Sequence, residues 1–183
     1  KYLPGILKGD VWVQGFSEPG AGSDLAALKT RAVLDGDHYV VNGQKIWSTL
    51  GQFADYCLLL VRTDPDVKKQ AGITFLLMDM KSPGIEVRPI KQITGDEEFA
   101  EMFLDNVRIP VANRVWDENK GWNVAQVTLS SERGLTLVEL VERLYGSLWR
   151  LLQAAERGGA GANSMDPEDS RKLVDIVARV EAL

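Results

Sequence analysis

Hydrophobic positions change their spacing once along the chain, near residues 110–116. Before this point, short runs rich in β-branched residues are separated by Gly, Pro and Asp, a pattern typical of strands joined by turns. Asp35-Gly36-Asp37 and Asn42-Gly43 are the clearest turn signals. The predicted strands are 29–34, 39–41, 56–62, 72–80, 85–90 and 100–109.

After Gly121 the apolar positions recur at steps of three and four, which predicts a helix from about residue 122 to residue 157. A polar, glycine-rich connection follows at 158–165. A second helix is predicted from Asp166 as the N-cap and Pro167 in the first turn. The apolar face of the first helix contains Leu137, Val141, Leu144, Leu148, Leu151 and Ala155.

Together these elements predict an α+β chain. Residues 1–113 should form an antiparallel β-domain of seven or eight strands, arranged as two sheets or an open barrel. Residues 114–183 should begin an all-α domain whose bundle is incomplete, since two helices this apolar need further helices around them. We also expect both ends to be cut, because the chain starts with lysine and Leu183 stands inside a helical pattern.

Composition excludes several function classes. Hydrophobic residues make up 45% and charged residues 26% of the chain, which is typical of a soluble globular protein. A net charge of -5 offers no basic field for nucleic acid or an anionic membrane. The apolar runs are too short to span a bilayer. Cys57 is the only cysteine, which fits a reducing cytoplasm, and His38 has no partner ligands, so no metal site is expected.

Residues 15–24 contain the most informative loop. Gly20 and Gly22 permit backbone angles and close approaches denied to other residues. Ser23 and Asp24 are the predicted cap of a short helical turn over 25–28. Such a loop can present N–H groups to an anionic or electron-rich ligand. On these residues alone, a simple capped surface turn explains the segment about equally well.

Four segments resemble the acyl-CoA dehydrogenase family, in order and over nearly the whole chain. The run Phe-Ser-Glu-Pro-Gly-Ala-Gly-Ser-Asp at 16–24 is similar to the family signature. Asn-Gly-Gln-Lys-Ile-Trp-Ser-Thr at 42–49 matches the next landmark. Residues 99–110 resemble the strand that leads to the C-terminal domain, and Gly121-Trp122 with Glu132-Arg133 resembles the first helix of that domain.

The resemblance implies that the β-domain binds the isoalloxazine ring of FAD. Ser17 would donate to its pyrimidine edge, Trp47 would pack on the ring and Thr49 would bond near N5. Ser23 would lie between the cofactor phosphates and the acyl-CoA substrate. The alternatives are a core tryptophan and ordinary strand hydroxyls. The implied cofactor-binding residues are Gln14, Phe16, Ser17, Gly22, Ser23, Trp47, Ser48 and Thr49.

The reaction implied by the resemblance is α,β-dehydrogenation of an acyl-CoA thioester. A carboxylate removes the α proton, and the β hydrogen leaves as hydride to flavin N5. In most relatives that glutamate would lie beyond Leu183; in a minority it matches Glu132, which makes Glu132 a candidate base. A solvated or paired helix glutamate is the favoured alternative. Arg133 would lie near the substrate, and this chain alone is expected to be inactive.

One departure from the family pattern separates the functional hypotheses. Many relatives carry Arg-x-x-Phe-Gly after the first C-terminal helix, whereas this chain has Arg-Gly-Gly-Ala-Gly-Ala-Asn at 157–163. An active dehydrogenase therefore competes with a degenerate partner subunit of a mixed assembly and with a β-domain used only for binding or assembly. The implied partners are acyl-CoA, an electron-transferring flavoprotein as acceptor and further subunits of a homo- or hetero-oligomer.

Overall fold

A mixed, mostly antiparallel sheet accounts for the first of the two units of this chain, Lys1–Val127; the second is Thr128–Leu183. The computed structural model describes residues 2–157 and 166–181. The helices are α1 (Leu3–Ile6), α2 (Gly121–Arg157) and α3 (Pro167–Glu181). The strands are β1 (Trp12–Gly15), β2 (Arg31–Asp35), β3 (His38–Thr49), β4 (Tyr56–Arg62), β5 (Ile73–Asp79), β6 (Ile85–Ile90), β7 (Phe99–Pro110) and β8 (Arg114–Val115).

The eight strands confirm the predicted fold class. Their order is β6-β7-β3-β2-β4-β5-β8, and β1 pairs with β4 outside this path. Strand β4 therefore has two neighbours on one side: β1 along Tyr56–Leu59, and β2 only at Arg62. Both of these pairings are parallel, unlike the other five. Sequence patterns missed β1 and β8, because runs of four and two residues are too short for a periodic signal.

Side chains from β1 to β5 and β7 form one apolar core. Tyr39, Val41, Cys57 and Leu59 are fully buried in it, as alternation along a strand with one buried face requires. Burial raises the pKa of the Cys57 thiol to about 12. This cysteine is therefore a core residue and not a nucleophile at neutral pH.

The predicted turn at Asn42-Gly43 is wrong, because β3 continues through it to Thr49. The pairing with β7 shifts register between Val41 and Gly43, so an irregularity takes the place of a chain reversal. Asn42 accepts a hydrogen bond from the backbone N–H of Asn106 at 2.8 Å across this irregularity. A Cβ at Gly43 would stand 2.7 Å from the Cα of Thr30, so glycine is needed for close approach.

Polar contacts fix the chain between β8 and α2. The Tyr39 hydroxyl donates to Glu118 at 2.6 Å and accepts from Arg114 at 2.8 Å. The Asn119 N–H donates to the Thr74 hydroxyl at 2.9 Å. Gly121, the first residue of α2, lies against the backbone of β5. The start of α2 is thus attached to the sheet.

The second unit contains the rest of α2 and α3. The predicted start of α3 is confirmed, since Asp166 Oδ1 accepts the Glu168 N–H at 2.9 Å. Leu148 and Val180 are buried, whereas Trp149 and Val174 are more than 60% exposed. The predicted connection 158–165 lies outside the described residues. In the described part of the chain, no helix combines the length and apolarity needed to cross a membrane.

Candidate functional site

A β-bulge near the end of β3 decides which side chains face outward. Lys45 pairs with Met102 of β7 and Ser48 pairs with Ala100, so three steps on β3 oppose two on β7. Strict alternation from buried Lys45 would bury position 47 and expose position 48. The inserted residue reverses this: Trp47 is 56% exposed, whereas Ser48 is buried.

Trp47 stands out in both backbone and environment. Its φ of 62° lies in the left-handed region, where a bulky side chain costs about 1–2 kcal/mol. The Phe99 ring supports the indole edge-on at a centroid distance of 6.0 Å. Thr49, two residues later, is also exposed and ends the strand. An indole and a hydroxyl are thereby presented side by side to the exterior of the sheet.

Residues 14–17 lie along this end of β3 and are tied to it by their carbonyl groups. The Ser48 hydroxyl donates to the Gln14 carbonyl at 3.0 Å, and the Ile46 N–H donates to the Ser17 carbonyl at 2.9 Å. Phe16 is 6% exposed and packs edge-on against Phe75. Ser17 is half-buried. The two segments singled out in the sequence therefore form one surface.

A buried ion pair joins these same two segments, and sequence reasoning missed it. The Lys45 ammonium lies 2.8 Å from Glu18, with the two side chains 0% and 8% exposed. Lys45 also donates to the Phe16 carbonyl at 3.1 Å. The Glu18 carboxylate accepts the N–H groups of Lys29 and Thr30 at 2.6 and 2.9 Å. The available signal was that Lys45 follows the buried Tyr39 and Val41 at even spacing along β3.

Electrostatics at this pair favour an ionised Glu18. Burial by itself raises the pKa of this carboxyl, but the Lys45 charge and the hydrogen bonds from Lys45, Thr30 and Lys29 outweigh it. The net result is a lowered pKa for Glu18. Burial lowers the pKa of Lys45, against the opposing charge of Glu18. The folded state therefore stabilises the ionised form of Glu18, and the ionised carboxylate in turn stabilises the folded state.

Acid should therefore destabilise this protein through Glu18. Because its folded-state pKa lies below the ordinary 4.5, the stabilisation is present above that pH and is lost as pH falls through the folded-state value. We expect the melting temperature of a Glu18→Gln/Lys45→Met variant to fall less than that of the wild type between about pH 5 and about pH 3. Thermal unfolding of both proteins across this range is the measurement. Parallel curves would contradict the prediction.

The loop at 18–28 differs from the predicted cap. Asp24 stands before the 3₁₀ turn Leu25–Ala27 but makes no capping hydrogen bond; its carboxylate pairs with Lys69 at 2.7 Å. Arg62 holds the turn instead, donating to the Ala26 carbonyl at 2.6 Å. Arg62 reaches this carbonyl because β4 ends beside the turn. The local sequence of the turn does not encode this contact.

Neither contacts within the protein nor backbone angles require glycine at positions 20 and 22. Apart from the adjacent residues of the chain, no described residue has an atom within 4 Å of a Cβ built on either glycine, and neither has a positive φ. Gly22 and Ser23 are exposed. The protein itself leaves space for side chains at both glycines.

Glu132 and Arg133 lie in the part of α2 that belongs to the second unit. Glu132 is exposed. The Arg133 side chain and the departure at 157–163 fall outside what the structure describes, apart from the helical backbone up to Arg157. No group of three potential metal ligands occurs among the described residues.

Comparisons with known proteins identify the family. Residues 14–107 match the model of the acyl-CoA dehydrogenase middle domain. The chain is 48% identical over 189 residues to acyl-CoA dehydrogenase FadE26 of Mycobacterium tuberculosis, covering 100% of this chain and 46% of that protein. The solved Tcur3481-Tcur3483 steroid ACAD matches with a TM-score of 0.84 at 36% identity, covering 99% of this chain and 46% of the other.

A third match is the ChsE4-ChsE5 complex from Mycobacterium tuberculosis, with a TM-score of 0.78 at 36% identity, covering 99% of this chain and 47% of that chain. The chain belongs to the acyl-CoA dehydrogenase family, whose members are flavoproteins. It spans less than half the length of the curated relatives that it matches.

Proposed function

We propose that the whole protein catalyses flavin-dependent α,β-dehydrogenation of an acyl-CoA, and that residues 1–113 form its flavin-binding β-domain. The observation that carries this proposal is the outward turn of Trp47 by the bulge in β3, next to exposed Thr49. Core packing does not explain the strained backbone of Trp47, because the side chain stays 56% exposed.

The chemistry of this surface fits an isoalloxazine ring, which needs an aromatic face to lie against and donors along its polar edge. Trp47 offers the face and Thr49 offers a hydroxyl. The backbone of Gln14, Phe16 and the half-buried Ser17 runs alongside. Ser48 would act indirectly, because its buried hydroxyl donates to the Gln14 carbonyl. Gly22 and Ser23, with open space above the glycine, would meet the cofactor phosphates and the substrate.

When bound, the flavin would supply the acceptor for the substrate's β hydrogen and electron pair. The residues of this chain would hold and orient it, and hydrogen-bond donors at the polar edge would stabilise the charge that reduction creates there. Glu132 is the one candidate base that the chain contains by family resemblance, and Arg133 would lie near the acyl-CoA. Electron-transferring flavoprotein is the proposed acceptor, and a cytoplasmic location stays a prediction.

Absorption spectroscopy of the full-length protein tests the activity. We expect a flavin spectrum that bleaches on addition of one member of a panel of straight-chain, alicyclic and steroid acyl-CoAs. The steroid compounds are included because one solved relative is a steroid ACAD. Trp47→Ala should weaken FAD retention, whereas Trp149→Ala, at an exposed tryptophan of α2, serves as the matched control for the loss of an exposed indole.

Glu132 is tested in the same assay. If it is the base, Glu132→Gln should lower turnover by about 10²–10⁴-fold with FAD still bound. Glu139→Gln is the control, because Glu139 is an exposed glutamate of the same helix and is paired with Arg143 at 2.6 Å. Equal turnover in both variants would reject Glu132 as the base and would leave the dehydrogenase proposal intact.

A degenerate partner subunit is the second candidate, for two reasons. The chain departs from Arg-x-x-Phe-Gly at 157–163, and one solved relative is the ChsE4-ChsE5 complex, which pairs two differently named chains. In that case the protein would be colourless, would take up no added FAD and would gain activity only with a second subunit. Size-exclusion chromatography with light scattering of the full-length protein would also decide whether it self-associates.

A further inference from the structure

The buried pair of Glu18 and Lys45 has a geometry that goes beyond holding the fold together. Replacing a buried ion pair by well-packed apolar residues is often neutral or stabilising, so burial alone gives little reason for it. Here, however, each charge also contacts backbone groups. Lys45 reaches the Phe16 carbonyl, and Glu18 reaches the N–H groups of Lys29 and Thr30.

The contact to Phe16 fixes the direction of a peptide group. In a trans peptide, the C=O and the N–H of the same unit point to opposite sides. Because the Phe16 carbonyl points to the fully buried Lys45 ammonium, the Ser17 N–H is directed away from the interior. The next carbonyl, that of Ser17, accepts from Ile46 at 2.9 Å, which anchors the segment to β3 just before Trp47.

We propose that Lys45 is a positioning residue that aims the Phe16–Ser17 peptide at the flavin, with Glu18 holding the ammonium in place and neutralising it. This inference rests on the proposed flavin site. It assigns a role to the lysine and the glutamate of the two signature segments, neither of which faces the surface itself. Without the lysine, the peptide can rotate, and the donor at Ser17 loses its fixed direction.

The test compares two neutral pairs in the full-length flavoprotein. Glu18→Gln/Lys45→Met removes both charges and the donor to Phe16. Glu18→Gln/Lys45→Gln removes both charges but keeps an N–H donor at position 45. Glu168→Gln/Lys172→Met is the matched control, because that exposed pair, at 3.0 Å, lies on α3. Each protein is measured for FAD dissociation constant, flavin reduction potential and hydrogen exchange of the Ile46 amide.

In the Met variant we expect a FAD dissociation constant and an Ile46 exchange rate about tenfold higher, as for one lost hydrogen bond. The potential should become more negative by about 30 mV, the equivalent of a tenfold change for a two-electron couple. The Gln variant should recover part of each change, and the control should equal the wild type.

A Met variant with wild-type affinity, potential and exchange overturns the inference. So does failure of both neutral pairs to fold, because the pair would then be required for the fold itself. A wild-type protein that takes up no FAD would reject the proposed function and the flavin part of this inference together. Even without a cofactor, hydrogen exchange of the Ile46 amide would still show whether the Glu18–Lys45 pair holds the Phe16–Ser17 peptide against β3.

Discussion

Lys45→Met is expected to lower the free energy of unfolding by about 3–5 kcal/mol, because it leaves the Glu18 carboxylate buried without its cation. Lys45 is fully buried, so no water replaces the lost charge. The double variant Glu18→Gln/Lys45→Met should recover most of this loss, since both charges are then gone and the methionine fills similar space. It should remain about 1 kcal/mol below the wild type for the lost bond to Phe16.

Urea unfolding of the single and double variants is the measurement. A strong recovery in the double variant demonstrates that the cost lies in the unpaired charge and not in the lost side chain. The prediction fails if the single variant is within about 1 kcal/mol of the wild type, which would mean that Glu18 finds water or another donor. Lys172→Met, at an exposed lysine of α3, should change stability by less than about 0.5 kcal/mol.

Gly121→Ala should cost about 3 kcal/mol, although alanine is the better helix former. A Cβ at this position would stand 2.4 Å from the backbone N of Phe75 and from the carbonyl carbon of Thr74. Both atoms belong to the buried strand β5, so relief requires the start of α2 to move away from the sheet. Overpacking against a backbone that cannot yield costs more than the propensity gain of about 1 kcal/mol.

Gly146→Ala provides the opposite expectation in the same helix. Apart from the adjacent residues and the backbone of α2, no described atom lies within 4 Å of a Cβ at this position, so alanine should raise stability by about 0.5–1 kcal/mol. Thermal and urea unfolding of both variants measure whether stability falls for Gly121→Ala and rises for Gly146→Ala. If Gly121→Ala were also stabilising, the close contact between α2 and β5 would be absent in solution.

The sequence was sufficient for the family, the fold class and most elements. Runs with strong periodicity, such as 85–90 and 122–157, lie within a residue or two of the observed boundaries, because the spacing of apolar positions reports the period of the element. The cap at Asp166 was also readable, since capping is a local interaction between neighbouring residues. The motif at 16–24 singled out a segment that the fold places against β3, where the Ser17 carbonyl accepts the Ile46 N–H.

The tertiary structure alone decided the features that depend on residues far apart in the sequence. The turn predicted at Asn42-Gly43 became part of β3 because β7 pairs across it. Trp47 faces outward because β3 carries one residue more than β7 at the bulge, and no pattern within β3 reports the count on β7. Glu18 and Lys45 stand 27 residues apart, and only the packing of the loop against β3 brings their charges to 2.8 Å.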